Sequence, residues 1–314
     1  MEYAISTQGL TRRFGNFTAV DNLSMDIIPG EICGFLGPNG AGKSTAIRML
    51  CGILAPSSGT GTVLGYDLLR ETEKIKPKIA YMSQKFSLYD DLSVIQNLDF
   101  YAGIYSIPAR YRQKRLQEML ALAQLTGQEK ELVGNLSSGF KQRLALAAAI
   151  IANPSLIFLD EPTSGVSPTS RRQFFDIIKS LAEAGTTVIV TTHFMDEAER
   201  CDRIAFINQG RLMALDAPDQ LKQQFIQGCM VELTPLDPIN QLSRLSSLPY
   251  VKETSLHGSQ LHVLLEHEEY LAQLGRDSGL IPERITPSLE DVFIHIARQR
   301  KEGGFADESY PGRT

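Results

Sequence analysis

The chain has 314 residues, a formal net charge of −5 and 43% hydrophobic residues. This length suits one large domain and a small one, since domains commonly hold about 100–200 residues. The mildly acidic balance argues against a nucleic-acid-binding protein, which needs a basic surface to neutralise phosphates. No nucleic-acid partner is therefore expected.

Secretion and membrane-insertion signals are not recognisable in the sequence. The first residues lack the basic segment and apolar core of a secretory leader. The longest apolar run, from Leu144 to Ala152, is about half of the ~18 residues that a membrane span needs. We therefore expect a soluble protein that reaches a membrane only through a partner. The cysteines are far apart and form no CxxC pair, so neither a zinc site nor a disulfide is predicted from them.

Up to about residue 225, short apolar strands alternate with helical patterns. Such alternation predicts an α/β domain with a parallel sheet covered by helices on both faces. The carboxyl ends of such strands are where ligands bind. The predicted strands lie at 31–36, 79–83, 156–159, 187–191 and 203–208, and the predicted helices at 44–54, 110–125, 142–152, 170–183 and 195–200.

Beyond Phe225 the pattern changes. Strands at 230–233 and 260–265 and helices at 238–248, 270–278 and 288–299 predict a small α+β appendage over residues 226–300. Residues 301–314 mix glycine, proline and charges without periodicity, which is typical of a disordered tail.

A complete phosphate-binding motif connects the strand at 31–36 to the helix that follows it. The motif G-x-x-x-x-G-K-[ST] is filled by Gly37-Pro38-Asn39-Gly40-Ala41-Gly42-Lys43-Ser44. Its glycines let backbone N–H groups turn toward phosphate oxygens, and the helix adds its positive end. Lys43 supplies a charge for the terminal phosphates, and the Ser44 hydroxyl suits Mg²⁺. A simple glycine turn is the alternative, but the full motif in this context favours an ATP-Mg²⁺ site.

Polar residues follow three other strands of the predicted sheet. Asp160 and Glu161 come directly after the strand at 156–159 and face the phosphate loop if that strand is its neighbour. Asp160 suits an indirect Mg²⁺ contact, and Glu161 suits polarising the water that attacks the γ-phosphate. His193 and Gln84 follow two further strands; His193 suits the γ-phosphate or the water, and Gln84 suits Mg²⁺. Solvated surface acids and a structural histidine cap are the alternatives.

The order of these motifs resembles the nucleotide-binding subunit of an ABC transporter over about residues 2–225. The resemblance implies a P-loop NTPase domain with a helical subdomain at about 86–153. It identifies Gly37 to Thr45 as the Walker A loop, Leu156 to Glu161 as Walker B, Gln84 as the Q-loop glutamine and His193 as the switch histidine. It also implies that Phe14 stacks on adenine, although a core aromatic is the alternative.

The segment Leu136 to Arg143 resembles the ABC signature, Leu-Ser-Gly-Gly-Gln, with Ser138 and Phe140 as departures. Ser137 and Gly139 are kept, and Ser137 is expected to cap the following helix and present its amides to a phosphate. In the family that phosphate belongs to the opposite subunit, which implies a dimer with two ATP-Mg between the nucleotide domains. Ser167 replaces the aspartate that related exporters carry at that interface.

The segments 192–198 and 286–293 resemble those of drug- and polysaccharide-exporter ATPases. This implies an ATPase that powers export through a separate transmembrane permease, bound at the cytoplasmic face of the inner or plasma membrane. In the family the permease docks on the surface that here contains Phe86, Tyr89, Phe100 and Tyr101, unless these aromatics belong to the core. Two other functions remain open: a soluble ABC ATPase acting on ribosomes or DNA, and a weakly hydrolysing regulatory module.

Overall fold

The computed structural model describes residues 3–84 and 88–302, which form two compact units, Met1–Asp216 and Ala217–Thr314. The sequence placed the division at residues 225 and 226. In the structure the helix Pro218–Phe225 belongs to the second unit, where it packs on the final helix, Leu289–Glu302. That helix continues into the segment predicted as a tail, and residues 303–314 lie outside the described residues, as does Phe86.

The first unit contains ten strands and seven α-helices within the described residues. The strands are β1 (Ile5–Phe14), β2 (Phe17–Ile27), β3 (Ile32–Leu36), β4 (Ser58–Val63), β5 (Tyr66–Asp67), β6 (Ile79–Met82), β7 (Leu156–Asp160), β8 (Thr187–Thr192), β9 (Arg203–Asn208) and β10 (Arg211–Asp216). The helices are α1 (Lys43–Leu50), α2 (Thr72–Ile75), α3 (Val94–Ile104), α4 (Ala109–Leu122), α5 (Ser138–Ala149), α6 (Pro168–Glu183) and α7 (Met195–Ala198). Short 3-10 turns lie at Lys76–Lys78 and Val133–Asn135.

The central sheet of this unit has the order β10-β9-β3-β8-β7-β6 and is parallel except for the β9–β10 pair. Every residue of β3, β7 and β8 is buried, as expected for parallel strands covered on both faces. The carboxyl ends of these three neighbouring strands therefore meet at one edge. This is the arrangement predicted for the phosphate loop and the polar residues that follow the strands.

A second, antiparallel sheet with the order β2-β1-β4-β5 was not predicted from the sequence. Its longest strands, β1 and β2, alternate buried and exposed residues only irregularly, because their pairing is shifted at three points. The strand β4 has the sequence SGTGTV, whose glycines and serine are typical of a turn. The composition of β4 therefore predicts a turn, although β4 pairs with β1 over most of the length of β4.

The second unit is a four-stranded antiparallel sheet with four helices in its described part. Its strands are β11 (Cys229–Leu233), β12 (Val251–His257), β13 (Gln260–Leu265) and β14 (Glu283–Arg284), in the order β12-β13-β11-β14. Its helices are α8 (Pro218–Phe225), α9 (Pro238–Leu245), α10 (Leu271–Ser278) and α11 (Leu289–Glu302). Its core includes Leu233, Leu261 and Val263. The sequence missed the edge strand β12 because VKETSLH is largely polar.

All four cysteines are free and buried, and burial raises the pKa of each thiol. No helix in residues 3–84 and 88–302 combines the length and apolar character required to cross a membrane.

The buried strand β7 gives a test of how much its packing stabilises the fold. Phe158 is fully buried in the first unit's core, so Phe158→Ala is expected to lower the free energy of unfolding by about 3–5 kcal/mol. Phe17 is 64% exposed, so Phe17→Ala is expected to change the free energy of unfolding by less than about 0.5 kcal/mol. Urea denaturation of both variants measures the difference, and equal losses would contradict this account of the core.

Candidate functional site

The phosphate-loop residues connect β3 to α1, and their backbone runs very close to neighbouring chain segments. A β-carbon added to Gly37 would lie 2.0 Å from the carbonyl oxygen of Ile207. One added to Gly42, whose φ is 101°, would lie 2.4 Å from the carbonyl oxygen of Ala19. Glycine is therefore required at both ends of the loop. Between them lie Pro38, Asn39, Gly40 and Ala41, and Lys43, Ser44 and Thr45 form the first turn of α1.

Lys43 extends back over the loop that precedes it. Its ammonium group donates hydrogen bonds to the carbonyl oxygens of Gly37 (2.7 Å) and Pro38 (3.1 Å). Burial lowers the pKa of Lys43, while the charges of Glu161 and Asp160 raise it. The cation thus lies in the loop with both carboxylates close enough to influence it.

Asp160, at the carboxyl end of β7, joins the phosphate loop to the next strand. The hydroxyl groups of Ser44 and Thr191 both donate to its Oδ1 atom, at 2.8 and 2.9 Å. Tyr81 lies on the other side, with its hydroxyl 3.5 Å from Oδ2. Asp160 is 5% exposed, so these hydroxyl groups replace lost hydration. Carboxylate and hydroxyl oxygens are the ligands that Mg²⁺ prefers, so Ser44 and Asp160 fit such an ion.

Glu161 follows Asp160 and turns away from the strand, with a positive φ of 47°. Its backbone N–H donates to the Thr191 hydroxyl at 2.7 Å, so Thr191 orients both carboxylate residues. The Gln84 amide donates to Glu161 Oε2 at 3.0 Å. His193 Nδ1 lies 3.9 Å from the same oxygen, beyond hydrogen-bonding distance. Glu161 and His193, which were predicted to act on the water, therefore lie close to Gln84, which was predicted to bind Mg²⁺. The described Gln84 bond is to Glu161 and not to Ser44 or Asp160.

No role was predicted from the sequence for Glu197, a buried glutamate four residues after His193. Glu197 is 2% exposed and accepts hydrogen bonds from the hydroxyl groups of Thr163 and Thr192. The Thr192 hydroxyl in turn accepts from the backbone N–H of Phe194 at 3.0 Å, so the chain is held on both sides of His193. The only sequence signal was an acidic residue one helical turn after the histidine, which is not specific.

The signature segment lies at the start of α5, and its predicted cap is wrong in one respect. Ser137 occupies the N-cap position, but its side chain accepts no cap hydrogen bond. Gly139 allows a close approach to α6, since an added β-carbon would lie 2.6 Å from Ser170 Oγ. Within the described residues, no hydrogen bond links Ser137 or Gly139 to the phosphate loop. Ser167 caps α6 by accepting from the Ser170 backbone N–H at 3.3 Å.

Phe14 lies at the end of β1 and is 47% exposed. The Arg12 guanidinium lies 4.6 Å from the centre of its ring. An exposed ring at a strand end is not a core aromatic, which removes the alternative left open by the sequence.

The buried carboxyl of Glu197 gives a prediction about pH. Burial raises its pKa above the ordinary 4.5, despite the hydrogen bonds from Thr163 and Thr192. The folded protein therefore retains this proton to higher pH than the unfolded chain, and stability from this group falls as the pH rises through the raised pKa. Glu197→Gln removes that loss. The free energy of unfolding of the variant, relative to the parent, should increase as pH rises above 4.5.

Urea denaturation at a series of pH values measures this difference. Glu183→Gln, at the exposed end of α6, is the matched control and should follow the parent at every pH. A Glu197→Gln variant whose stability relative to the parent is independent of pH would contradict the prediction.

Comparison with known proteins provides the family context. Residues 20–164 match the family model described as ABC transporter. The probable multidrug ABC transporter ATP-binding protein YbhF of Escherichia coli K12 is 48% identical over 223 residues, which are 71% of this chain and 39% of YbhF. The chain therefore spans well under half of that relative.

Two other relatives align over nearly their full length. The linearmycin resistance ATP-binding protein LnrL of Bacillus subtilis 168 is 34% identical over 93% of this chain and 97% of its own. The Nod factor export ATP-binding protein I of Rhizobium sp. strain N33 is 35% identical over 95% of this chain and 98% of its own.

Solved structures agree with the fold. The cbiO1 protein of Clostridium perfringens, part of the ABC transporter complex cbiONQ, has a TM-score of 0.66 at 27% identity, covering 71% of this chain and 92% of its own. A dimeric ATP-binding cassette in a post-hydrolysis state, bound to ADP and Pi, has a TM-score of 0.61 at 26% identity, covering 68% and 98%. The predicted ABC-type P-loop fold is thus confirmed.

Proposed function

Because the chain belongs to the ABC transporter family of ATP-binding proteins, we propose that it hydrolyses ATP to power export of a substrate through a separately encoded membrane permease. The observation that carries this proposal is the 2.8 Å hydrogen bond between Ser44 and Asp160. It joins the phosphate loop to the strand end that also bears Glu161. A phosphate-binding group, an acidic metal ligand and a candidate base are therefore adjacent.

We propose that Ser44, Asp160 and Gln84 would hold Mg²⁺, with Gln84 offering its amide oxygen while its amide nitrogen donates to Glu161. The donor set fits, because Ser44 and Asp160 offer oxygen atoms that already lie within hydrogen-bonding distance. The ion supplies charge neutralisation for the phosphate oxygens.

In the proposed reaction, the oxygen of a water molecule attacks the γ-phosphorus of ATP. The bond from that phosphorus to the bridging oxygen breaks, giving ADP and phosphate, and the Glu161 carboxylate accepts the water proton. The Lys43 ammonium and the loop amides stabilise charge on the phosphates. His193 and Gln84, which flank Glu161 Oε2 in the structure, orient the water. Phe14 presents an exposed ring for adenine.

We infer that two nucleotide domains close on two ATP molecules. Ser137 and Gly139, at the positive end of α5, would contact the ATP held by the partner's phosphate loop. The Ser137 hydroxyl, which makes no cap bond, remains able to donate to a phosphate. Ser167 supplies a cap to α6 in place of an interface carboxylate, so the two sites would communicate through fewer charges.

We place the permease contact on the apolar surface formed by α3 and its neighbours, which would hold the protein at the cytoplasmic face of the membrane. The exposed members of this surface, which we call the α3 patch, are Tyr89, Phe100, Ile104, Tyr105 and Tyr111. The rings of Tyr89 and Phe100 pack edge to face at 4.8 Å. Clustered exposed apolar side chains of this kind commonly mark a protein contact.

Replacing the proposed base tests the chemistry. Glu161→Gln removes proton acceptance but keeps the size of the side chain, so ATPase turnover should fall by about 100-fold or more while ATP affinity is retained. Steady-state phosphate release and equilibrium nucleotide titration measure the two quantities. Glu266→Gln, an exposed substitution in the second unit, is the control. Turnover at the parent's rate in Glu161→Gln would reject the assigned role.

Replacing an apolar member of the α3 patch tests the coupling to a permease. Tagged protein captured from native membranes in mild detergent should bring down a multi-span membrane protein in stoichiometric amount. Ile104→Asp, at a residue 58% exposed, should abolish that recovery, because a charge would be desolvated at the contact. Ile53→Asp, 59% exposed elsewhere in the first unit, should not. Recovery of ribosomal or DNA-repair proteins instead would favour the soluble ATPase, and equal capture by both variants would reject the patch.

A further inference from the structure

The second unit contains a histidine pair that the proposed ATPase chemistry does not use. Of the five histidines in the chain, all except His193 lie in this unit. His257 and His262 belong to the β12–β13 hairpin, where His262 pairs with Ser255 and His257 pairs with Gln260. This register puts both rings on one face of the hairpin as diagonal neighbours. The rings stack with their centres 3.7 Å apart and their planes 14° from parallel.

Both rings direct one nitrogen at the same carboxylate oxygen. Asp291 Oδ1, in the first turn of α11, lies 2.7 Å from His262 Nδ1 and 3.1 Å from His257 Nε2. The Asp291 side chain is almost completely buried, and the two imidazoles are largely buried. Ser255 Oγ also lies 3.1 Å from His257 Nε2. Two imidazole nitrogens and a carboxylate oxygen therefore converge with little access for water.

The outward-facing atoms of these three residues also have partners. Glu232 Oε2 lies 3.5 Å from His262 Nε2, and Glu290 Oε2 lies 3.5 Å from His257 Nδ1. Asp291 Oδ2 accepts from the Ser288 backbone N–H at 2.8 Å and from its hydroxyl at 2.7 Å. An outer carboxylate behind each imidazole and a fixed second oxygen on the carboxylate are typical of the groups that surround metal ligands.

The local charge also favours a cation. Asp291, Glu232 and Glu290 surround two imidazoles, which are uncharged when they bind a metal. Among the side chains that the structure describes, in residues 3–84 and 88–298, no lysine or arginine forms an ion pair with any of these three carboxylates. A bound divalent ion would balance most of this negative charge in a poorly hydrated site.

We propose that His257 Nε2, His262 Nδ1 and Asp291 Oδ1 form a binding site for a divalent transition metal of the zinc class. Imidazole and carboxylate are common zinc ligands, and zinc takes four ligands in a tetrahedron at about 2.0–2.2 Å. Ligand atoms at such distances are about 3.3 Å apart. Two imidazoles on one zinc point their nitrogen lone pairs at the ion, which places their ring centres about 5 Å apart. Metal entry therefore requires the rings of His257 and His262, which are 3.7 Å apart, to turn out of their stack and Asp291 Oδ1 to withdraw from the nitrogens. Ser255 Oγ or a water molecule supplies the fourth ligand.

Metal at this site would fasten α11 to the β12–β13 hairpin. Asp291 belongs to the segment 286–293, which the sequence singled out without assigning it any chemistry. A ligand that binds only the folded state stabilises that state by mass action. The metal would therefore raise the stability of the second unit against unfolding without taking part in ATP hydrolysis.

The test uses the full, untagged and nucleotide-free chain, because a histidine tag or bound nucleotide would itself hold zinc. Competition with a chromophoric chelator should show one zinc bound per chain, and zinc should raise the thermal unfolding midpoint. His262→Gln should weaken zinc binding by at least about 100-fold and remove the midpoint shift, since it deletes a direct ligand. His267→Gln, at an exposed histidine of the same unit, is the matched control and should behave as the parent.

A parent chain that binds no zinc overturns the proposal whatever the variants do. Equal zinc affinity in the parent and His262→Gln also overturns it and leaves Asp291 as a hydrogen-bond acceptor shared by two histidines. If His262→Gln does not fold, the visible spectrum of cobalt bound to the parent decides, because tetrahedral nitrogen and oxygen ligation gives strong absorption and an octahedral hydrated ion does not. ATPase turnover should be unchanged in folded His262→Gln, so this test is independent of the proposed function.

Discussion

The Asp160 carboxylate is the group on which the arrangement of the site depends. A buried carboxylate is unfavourable unless hydrogen bonds replace its hydration, and here the hydroxyl groups of Ser44 and Thr191 both donate to one of its oxygens. Those two residues belong to α1 and β8, while Asp160 ends β7. One oxygen atom therefore sets the relative positions of the phosphate-loop helix and two central strands. Thr191 also positions Glu161, because its hydroxyl accepts a hydrogen bond from the Glu161 backbone N–H.

Close packing of the backbone fixes the phosphate loop in addition to the hydrogen bonds of Asp160. The phosphate loop passes so close to Ile207 and Ala19 that Gly37 and Gly42 admit no side chain. The loop is thereby fixed against β9 and β2 before any ligand is bound. Such preorganisation suits phosphoryl transfer, in which positioning and charge neutralisation supply most of the catalysis.

The sequence predicted those site residues that belong to short contiguous motifs or directly follow a predicted strand. The motif from Gly37 to Ser44, the acids after β7 and the residues after β6 and β8 could be placed at one sheet edge, because parallel strands align their carboxyl ends. The signals were insufficient where a residue acts through distant partners. Glu197 supports the chain beside His193 through the Thr192 hydroxyl, and it is itself held by Thr163, a residue 34 positions away. The Ser137 cap was inferred from residue type alone. His257 and Asp291 follow no metal-binding spacing, since only the pairing of β12 with β13 and the packing of α11 bring them together.

The burial of every cysteine has a practical consequence for studying the protein in motion. Thiol-reactive probes require an accessible thiolate, and burial both shields these four sulfur atoms and raises their pKa. The natural cysteines are therefore expected not to react with thiol-directed fluorescent or spin labels. A single cysteine introduced on the surface would carry the whole signal, and distances between labelled copies could be followed through a nucleotide cycle without first removing the natural thiols.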